Sequence, residues 1–295
     1  MNEELKDRIS PSQWALVTLI IAVAAGSFLY RLLVVQRLEQ TAAMFIGLPA
    51  FLAILLALSP KAKSPLGMIM KGMTIFLLMS GPLLGEGFIC ILMAAPLFYF
   101  VGFFLGLIAN RFGEGAKTYA LAVPFLLFSL EGTSDPLSLP RETVVSGRAQ
   151  AVLSPGQVAA RLAMTPDFTG PLPVYLRMGF PRPVDVNGAG LKPGSPRIIH
   201  FAGGEGRPGT LVWRVAESGA GFVRFRAESD SSHIAHWLVW REAVIRWNEA
   251  PGGGTAIEWT ISYRRLLDPA WYFAPWERYA VSLAGQYYAE SLWKP

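Results

Sequence analysis

Charge and cysteine are what this chain has least of. Charged residues make up 16% of its 295 positions, against about 25% in an ordinary soluble domain. There is one cysteine, Cys90, inside an apolar run, which excludes an intrachain disulfide framework, a CxxC pair and a thiolate metal site. The net charge of +5 mildly favours an anionic membrane surface and makes no case for nucleic acid. No GxSxG nucleophile context and no HExxH helix occur, and GGEG at 203–206 lacks the helix and lysine of a phosphate loop, so it reads as a hairpin turn. The first apolar run is long and is not followed by a small-x-small cleavage site, so no cleavable signal peptide is expected.

The charge deficit is uneven. Through residue 140 there are nine Lys/Arg and eight Asp/Glu, clustered between long apolar runs, and beyond it 17 and 13, interleaved. A helix crossing the hydrocarbon of a bilayer needs ~20 mostly apolar residues, and lipid cannot satisfy an unpaired backbone, so such runs are helical. Four segments qualify or come close: Trp14–Val35, Ala42–Ser59, Gly67–Leu84, where Lys71 is near enough to the end to snorkel, and Phe88–Ala109. GPLLGEG between the last two predicts a helical hairpin. A fifth run, Tyr119–Leu130, contains Pro124 and reads either as a short kinked span or as an interfacial helix. Lys6 and Arg8, then Lys61 and Lys63, then Arg111 and Lys117 place the N-terminus in the cytoplasm. Five spans put the C-terminal half outside, four keep it inside, and five is the preferred count. No central stretch carries an isolated Asp, Glu, His or Arg, so the helices read as an anchor before a transport path.

EGTSDPLSLP, residues 131–140, is a turn-rich linker. Arg141–Leu153 alternates as a strand. SPGQVAARLAM follows with Ser154 as N-cap, Pro155 at the first helical position and Gln157 completing a capping box. Thr165–Pro196 is rich in Gly and Pro and predicts loops around at most a short strand or helix. Five strands succeed one another after it: RIIHFAGG, GTLVWRVAE, GFVRFRAES, HWLVWREAVIRWNEA and TAIEWTISYRRL. Pro275–Trp293 turns to helical spacing, with Trp276, Tyr279, Ala280, Leu283 and Tyr287 on one stripe. The chain therefore divides into a helical transmembrane bundle over 1–130, the linker over 131–140, and an α+β domain over 141–295.

The order of strand, short helix, antiparallel strands and long C-terminal helix resembles the START-like (SRPBCC) superfamily, the helix-grip fold of polyketide cyclase-like and lipid-transfer domains. GFVRFRAESDSSHIAHWLVWREAVI, GGGTAIEWTISYRRLLDPAWYF and PWERYAVSLAGQYYAESL carry the resemblance. It implies an antiparallel sheet wrapped on the last helix and a cavity between them for an apolar or amphipathic ligand. The superfamily shares no catalytic motif, so no catalytic residue, cofactor or metal is carried over.

Strand alternation selects the side chains that would line such a cavity. In HWLVWREAVIRW, Trp237, Val239, Arg241, Ala243, Ile245 and Trp247 form the more apolar face, expected under the helix. Leu211, Trp213 and Val215 join them, as do Val223, Phe225, Ile257, Trp259, Ile261 and Tyr263. Arg224, Arg226, Glu258 and Arg264 face solvent. The expected ligand-binding set is Trp213, Phe225, Trp237, Arg241, Trp259, Tyr263 and Tyr287. Arg241 would be a lone charge on an apolar face, paired with an acidic loop residue or anchoring an anionic headgroup. His233 and His236 form HxxH beside Asp230, but on a strand they point to opposite faces, which favours a turn over a metal site.

The leading expectation is a membrane-anchored module that binds a lipid, isoprenoid, quinone or polyketide-like molecule, with a bacterial inner membrane as its location. A cyclase or dehydratase using Arg241, Tyr263 and Tyr175 is the alternative, and a structural or sensory protein is a third. The expected partners are the bilayer and a hydrophobic small molecule, with self-association left open.

Overall fold

The computed structural model describes residues 10–30, 46–84, 88–112, 130–202 and 208–293. The chain divides into two compact units, Met1–Leu127 and Phe128–Pro295.

The first unit contains α1 (Pro11–Tyr30), α2 (Leu48–Leu58), α3 (Pro65–Leu84) and α4 (Phe88–Phe112). Its packing reverses that of a soluble bundle. Val17, Ile20, Ala50, Ala53, Ala57, Ile75 and Met79 are buried between helices, while Leu19, Phe28, Phe51, Leu55, Phe76, Phe100 and Leu107 face outward. Small residues let backbones approach closely where lipid supplies no hydrophobic drive. On α2 the contact residues Ala50, Ala53 and Ala57 form such a stripe, and on α4 a Cβ at Gly106 would lie 2.8 Å from the Leu66 Cα.

Polar side chains turn to backbone instead. The Ser27 hydroxyl donates to the Pro82 carbonyl at 2.8 Å, and Thr74 and Tyr99 share a 2.9 Å bond between α3 and α4. The Lys71 ammonium donates to the Ser59 carbonyl at 3.0 Å, because the last carbonyls of a helix lack intrahelical partners and attract a cation. Among the described residues, two helices are long and apolar enough to cross a membrane, Pro11–Tyr30 and Cys90–Ala109, while the apolar Leu48–Leu58 is shorter. The run at 119–130, apart from Leu130, lies outside the described residues, as does GGEG at 203–206.

The second unit is built on one seven-stranded antiparallel sheet. Its strands are β1 (Glu142–Ala151), β2 (Arg182–Asn187), β3 (Pro196–Ala202), β4 (Gly209–Gly219), β5 (Phe222–Asp230), β6 (Leu238–Glu249) and β7 (Thr255–Arg265). They run in the spatial order β1-β7-β6-β5-β4-β3-β2. α5 (Pro155–Ala163) and α6 (Ala270–Trp293) lie against the inner face. A curled sheet with a C-terminal helix fits the helix-grip arrangement. α5 starts at the expected capping box: the Ser154 hydroxyl accepts from the Gln157 N–H, and the Gln157 side chain accepts from the Ser154 N–H.

Three local expectations change. The Gly/Pro-rich passage contributes a full edge strand, β2, as well as a 3-10 turn at Leu176–Met178. α6 begins at Ala270, not Pro275, because a carboxylate from outside the helix opens it: Glu131 accepts from the Ala270 N–H at 2.7 Å. The buried stripe of α6 differs in part. Tyr287 is buried and Ala280 and Leu283 pack against the core as expected, but Trp276 and Tyr279 are exposed, and Glu277, Val281, Gly285, Ala289 and Leu292 face the sheet.

Small residues hold that stripe because a large one lies beneath. The Trp259 indole on β7 lies between Gly147 on β1 and Gly285 on α6. A Cβ at Gly147 would come 2.2 Å from one edge of the ring and one at Gly285 2.6 Å from the other, so neither position admits a side chain without displacement. Gly285→Ala is expected to lower the stability of the second unit by about 1–3 kcal/mol, read as a lower denaturant midpoint by tryptophan fluorescence. An unchanged midpoint would show that the helix does not depend on this contact.

Candidate functional site beneath the C-terminal helix

Alternation along β4, β5 and β7 runs as expected. Leu211, Trp213, Val215, Val223, Phe225, Ile257, Trp259 and Tyr263 are all buried on the inner face. β6 breaks the pattern. Trp240 pairs with Tyr263 and Glu242 with Ser262, so Arg241 is the extra residue of a β-bulge. A bulge shifts the alternation by one. Before it Leu238 and Trp240 turn inward, and after it Ala243, Ile245 and Trp247 do.

The expected inner positions of Val239 and Arg241 are therefore corrected. Val239 is 41% exposed, and Arg241 lies on the open face beside Glu142, with its Nη2 3.3 Å from the carboxylate. Both groups are largely exposed, so the pair contributes little. Trp237, just before β6, is buried against Phe180 and His233, and Trp213 meets Trp240 at 6.1 Å between centroids.

The C-terminal half of α6 is closed by backbone contacts. The Tyr287 hydroxyl donates toward the Phe168 and Gly170 carbonyls at 3.1 and 2.9 Å, and its ring stacks on Phe168. Arg197 on β3 is buried beside this region and has no carboxylate within ion-pair distance among the described residues. Its guanidinium donates to the Leu162 and Met164 carbonyls at 2.9 and 3.0 Å, closing the end of α5, and it lies over the Phe225 ring. Arg197, Ile199 and Phe201 share one strand face, and the same alternation rule applied to β3 would have found it.

The N-terminal half of α6 rests on a different surface. Arg265, the last residue of β7, is fully buried between Asp268 and Glu131 and also donates to the Leu139 and Pro140 carbonyls. Arg141 pairs with Asp268 at 2.8 Å. A turn along α6, Glu277 is 5% exposed, and neither carboxylate oxygen completes a hydrogen bond. Burial, opposed by Arg265 and the Leu267 backbone and reinforced by Asp268, pushes its carboxyl up to about 7.

Tyr263 is fully buried beside Leu238 and Val281, and its hydroxyl also lacks a completed hydrogen bond. Burial and the Glu277 charge raise the phenol above its usual range, while Arg278 and a weak interaction with Thr143 oppose them. Glu277 is not evident from the aromatic stripe of α6, which runs beside it through Trp276 and Tyr279. Its spacing of i, i+4 and i+8 with Val281 and Gly285 is the signal that locates it.

Further out, Tyr175 packs among Phe180, Trp276 and Tyr279, with centroids 5.1 to 6.4 Å away. Arg241, Tyr263 and Tyr175 are therefore not brought together: one is on the open face, one is buried and one belongs to this aromatic layer. His233 and His236 sit on a 3-10 turn with rings 5.1 Å apart. Asp230 makes the local turn bond expected of it, accepting from the Ser232 N–H at 2.8 Å. Among the described residues no group of three or more His, Cys, Asp and Glu could hold a metal. A groove of about 330 Å³ lined by Arg148, Ala149, Gln150, Asn248, Ala256, Ile257 and Glu258 contains none of the expected ligand-binding residues.

No family model matches the chain, and no curated protein matches it. Among solved structures it is similar to a START superfamily protein from Mycobacterium smegmatis, at 10% identity over 50% of this chain and 93% of that one, with a TM-score of 0.35. It is similar to major latex-like protein 151 from Panax ginseng at 12% identity, over 52% and 99%, with a TM-score of 0.32. It is also similar to the Aha1 dimer from Colwellia psychrerythraea at 13% identity, over 51% and 97%, with a TM-score of 0.31. Values this low carry no argument about ligand, activity or partner.

An acid whose folded pKa is raised stabilises the fold most below its unfolded value and loses that contribution as pH rises. For Glu277 the loss falls between pH 4.5 and about 7 and is on the order of 3 kcal/mol. Glu277→Gln is expected to flatten this decline, leaving the variant more stable than the parent at pH 8. Denaturant midpoints at pH 5 and pH 8 check it, and equal slopes in the two proteins would contradict it.

Proposed function

We propose that this chain is a membrane-anchored START-like module that holds a hydrophobic or amphipathic small molecule between its sheet and its C-terminal helix. The observation that carries the reading is the inner face itself, a broad apolar surface rich in Trp, Tyr and Phe beneath one long helix. Sites for lipids and similar ligands are mostly apolar and aromatic, with a few placed polar groups. Trp213, Phe225, Trp237, Trp259, Tyr263 and Tyr287 are its proposed contact residues, and Arg241, on the open face, is set aside.

The first unit supports the anchoring half of the proposal. Its outward surface of Leu, Ile and Phe suits lipid and not water, and Pro11–Tyr30 and Cys90–Ala109 meet the length and hydropathy of a span. We assign four or five spans over residues 1–130, a cytoplasmic N-terminus, a connecting stretch at 131–140 and the ligand-binding domain at 141–295.

The purified full chain is expected to carry an apolar molecule visible by native mass spectrometry, and to bind N-phenyl-1-naphthylamine with energy transfer from its tryptophans. A chain that is empty and also inert to the probe would end the ligand-binding reading. An epitope at the C-terminus, tested for protease access in intact cells, reports the side of the membrane.

A further inference from the structure

Two buried polar groups in the N-terminal half of the α6–sheet interface have oxygens that complete no hydrogen bond of normal geometry. One is the Tyr263 hydroxyl on β7, and the other is the Glu277 carboxyl on α6. Leu238, Val281, Val145, Ile234, Trp240 and Ile261 surround the tyrosine. A buried polar atom left without a partner costs roughly 1–3 kcal/mol, and two so close that one charge acts on the other form a deficit concentrated in one place.

We propose that Tyr263 and Glu277 together form a two-donor site for the oxygen of a hydrophobic carbonyl compound, a ketone, ester or quinone, held between β7 and α6. The proposal rests on the ligand-binding reading above and specifies its ligand class. A phenol and a protonated carboxyl each offer one O–H, and a carbonyl oxygen offers two lone pairs. Burial raises both groups, the Glu277 carboxyl to about 7, so both hold their protons on the acid side of neutrality, as an apolar site does for an acid that must donate. A cationic ligand is disfavoured because Arg265 and Arg278 already act here, and an anionic one because Asp268 would repel it.

The groups that set the titration come from every element around the site. Tyr263 and Arg265 are on β7, Asp268 on the following loop, and Arg278 on α6. Arg141 and Glu131 tie the chain before β1 to Asp268 and Arg265.

The test uses the full chain in detergent and two probes read by energy transfer from tryptophan. Prodan is an aromatic ketone whose emission shifts red when its carbonyl accepts a hydrogen bond, and N-phenyl-1-naphthylamine has no carbonyl. Prodan is expected to bind about tenfold more weakly at pH 8.5 than at pH 6, with N-phenyl-1-naphthylamine equal at both. Glu277→Gln, which keeps an N–H donor, should remove the pH dependence and retain prodan binding. Tyr263→Phe should weaken prodan about tenfold and blue-shift it.

Equal prodan affinity at the two pH values in the parent protein overturns the proposal, with no variant needed, as does normal red-shifted prodan binding by Tyr263→Phe. If N-phenyl-1-naphthylamine binds and prodan is indifferent to pH, only the donor site fails. If neither probe binds, the ligand-binding reading fails with it.

Discussion

The Trp259 indole is where sheet and helix meet in the second unit, and much of the domain follows from making room for it. It is buried between Gly147 on β1 and Gly285 on α6, so β1, β7 and the helix are held to one separation by a single rigid ring. Close packing of this kind tolerates neither a gap nor an added methyl. It leaves no room for a side chain at position 285 of α6, and with the helix turned this way Glu277 is buried while Trp276 and Tyr279 face outward. The polar end of the interface is a consequence of the apolar clamp eight residues along the helix.

The two halves of α6 then differ in chemistry. Toward the C-terminus the helix is sealed, with Tyr287 turned to backbone carbonyls and Arg197 closing α5 nearby. Toward the N-terminus it rests on charge: Glu131 opens the helix, Arg265 is held between Glu131 and Asp268, and Arg141 completes the set. A buried pair of this kind is a weak source of net stability, but removing one partner strands the other at a cost of about 3–5 kcal/mol. It therefore fixes where the helix begins more than it adds to the fold. Between the sealed half and the charged start lie two buried polar groups, Tyr263 and Glu277.

The first unit solves the opposite problem. Its interior combines the alanines of α2 with Val17, Ile20, Ile75 and Met79, while many other large apolar residues point outward. Hydroxyls and a lysine are returned to backbone carbonyls within the unit, leaving little polar surface along the helices. That arrangement is stable where the surroundings are hydrocarbon and unfavourable where they are water.

Much of this architecture was legible in the order of residues. Local rules are strong where one interaction dominates, so long apolar runs read as helices, Ser154 to Gln157 read as a capped start, and period-two patterns placed the inner face of β4, β5 and β7. Two events invisible to periodicity decided the rest. The bulge at Arg241 adds one residue to β6, and because side chains alternate with a period of two, it reverses every facing assignment before it. The rotation of α6 is set by Trp259 from a strand distant in space, so the helix's most hydrophobic stripe is not its buried one. What the sequence by itself determined was the division into an apolar helical half and an α+β half, together with most strand positions, because these depend on neighbours along the chain. The burial of Glu277, Arg197 and Arg265 and the exposure of Arg241 belong to tertiary structure alone. Each depends on how an indole, a bulge and a distant carboxylate meet once the chain has folded.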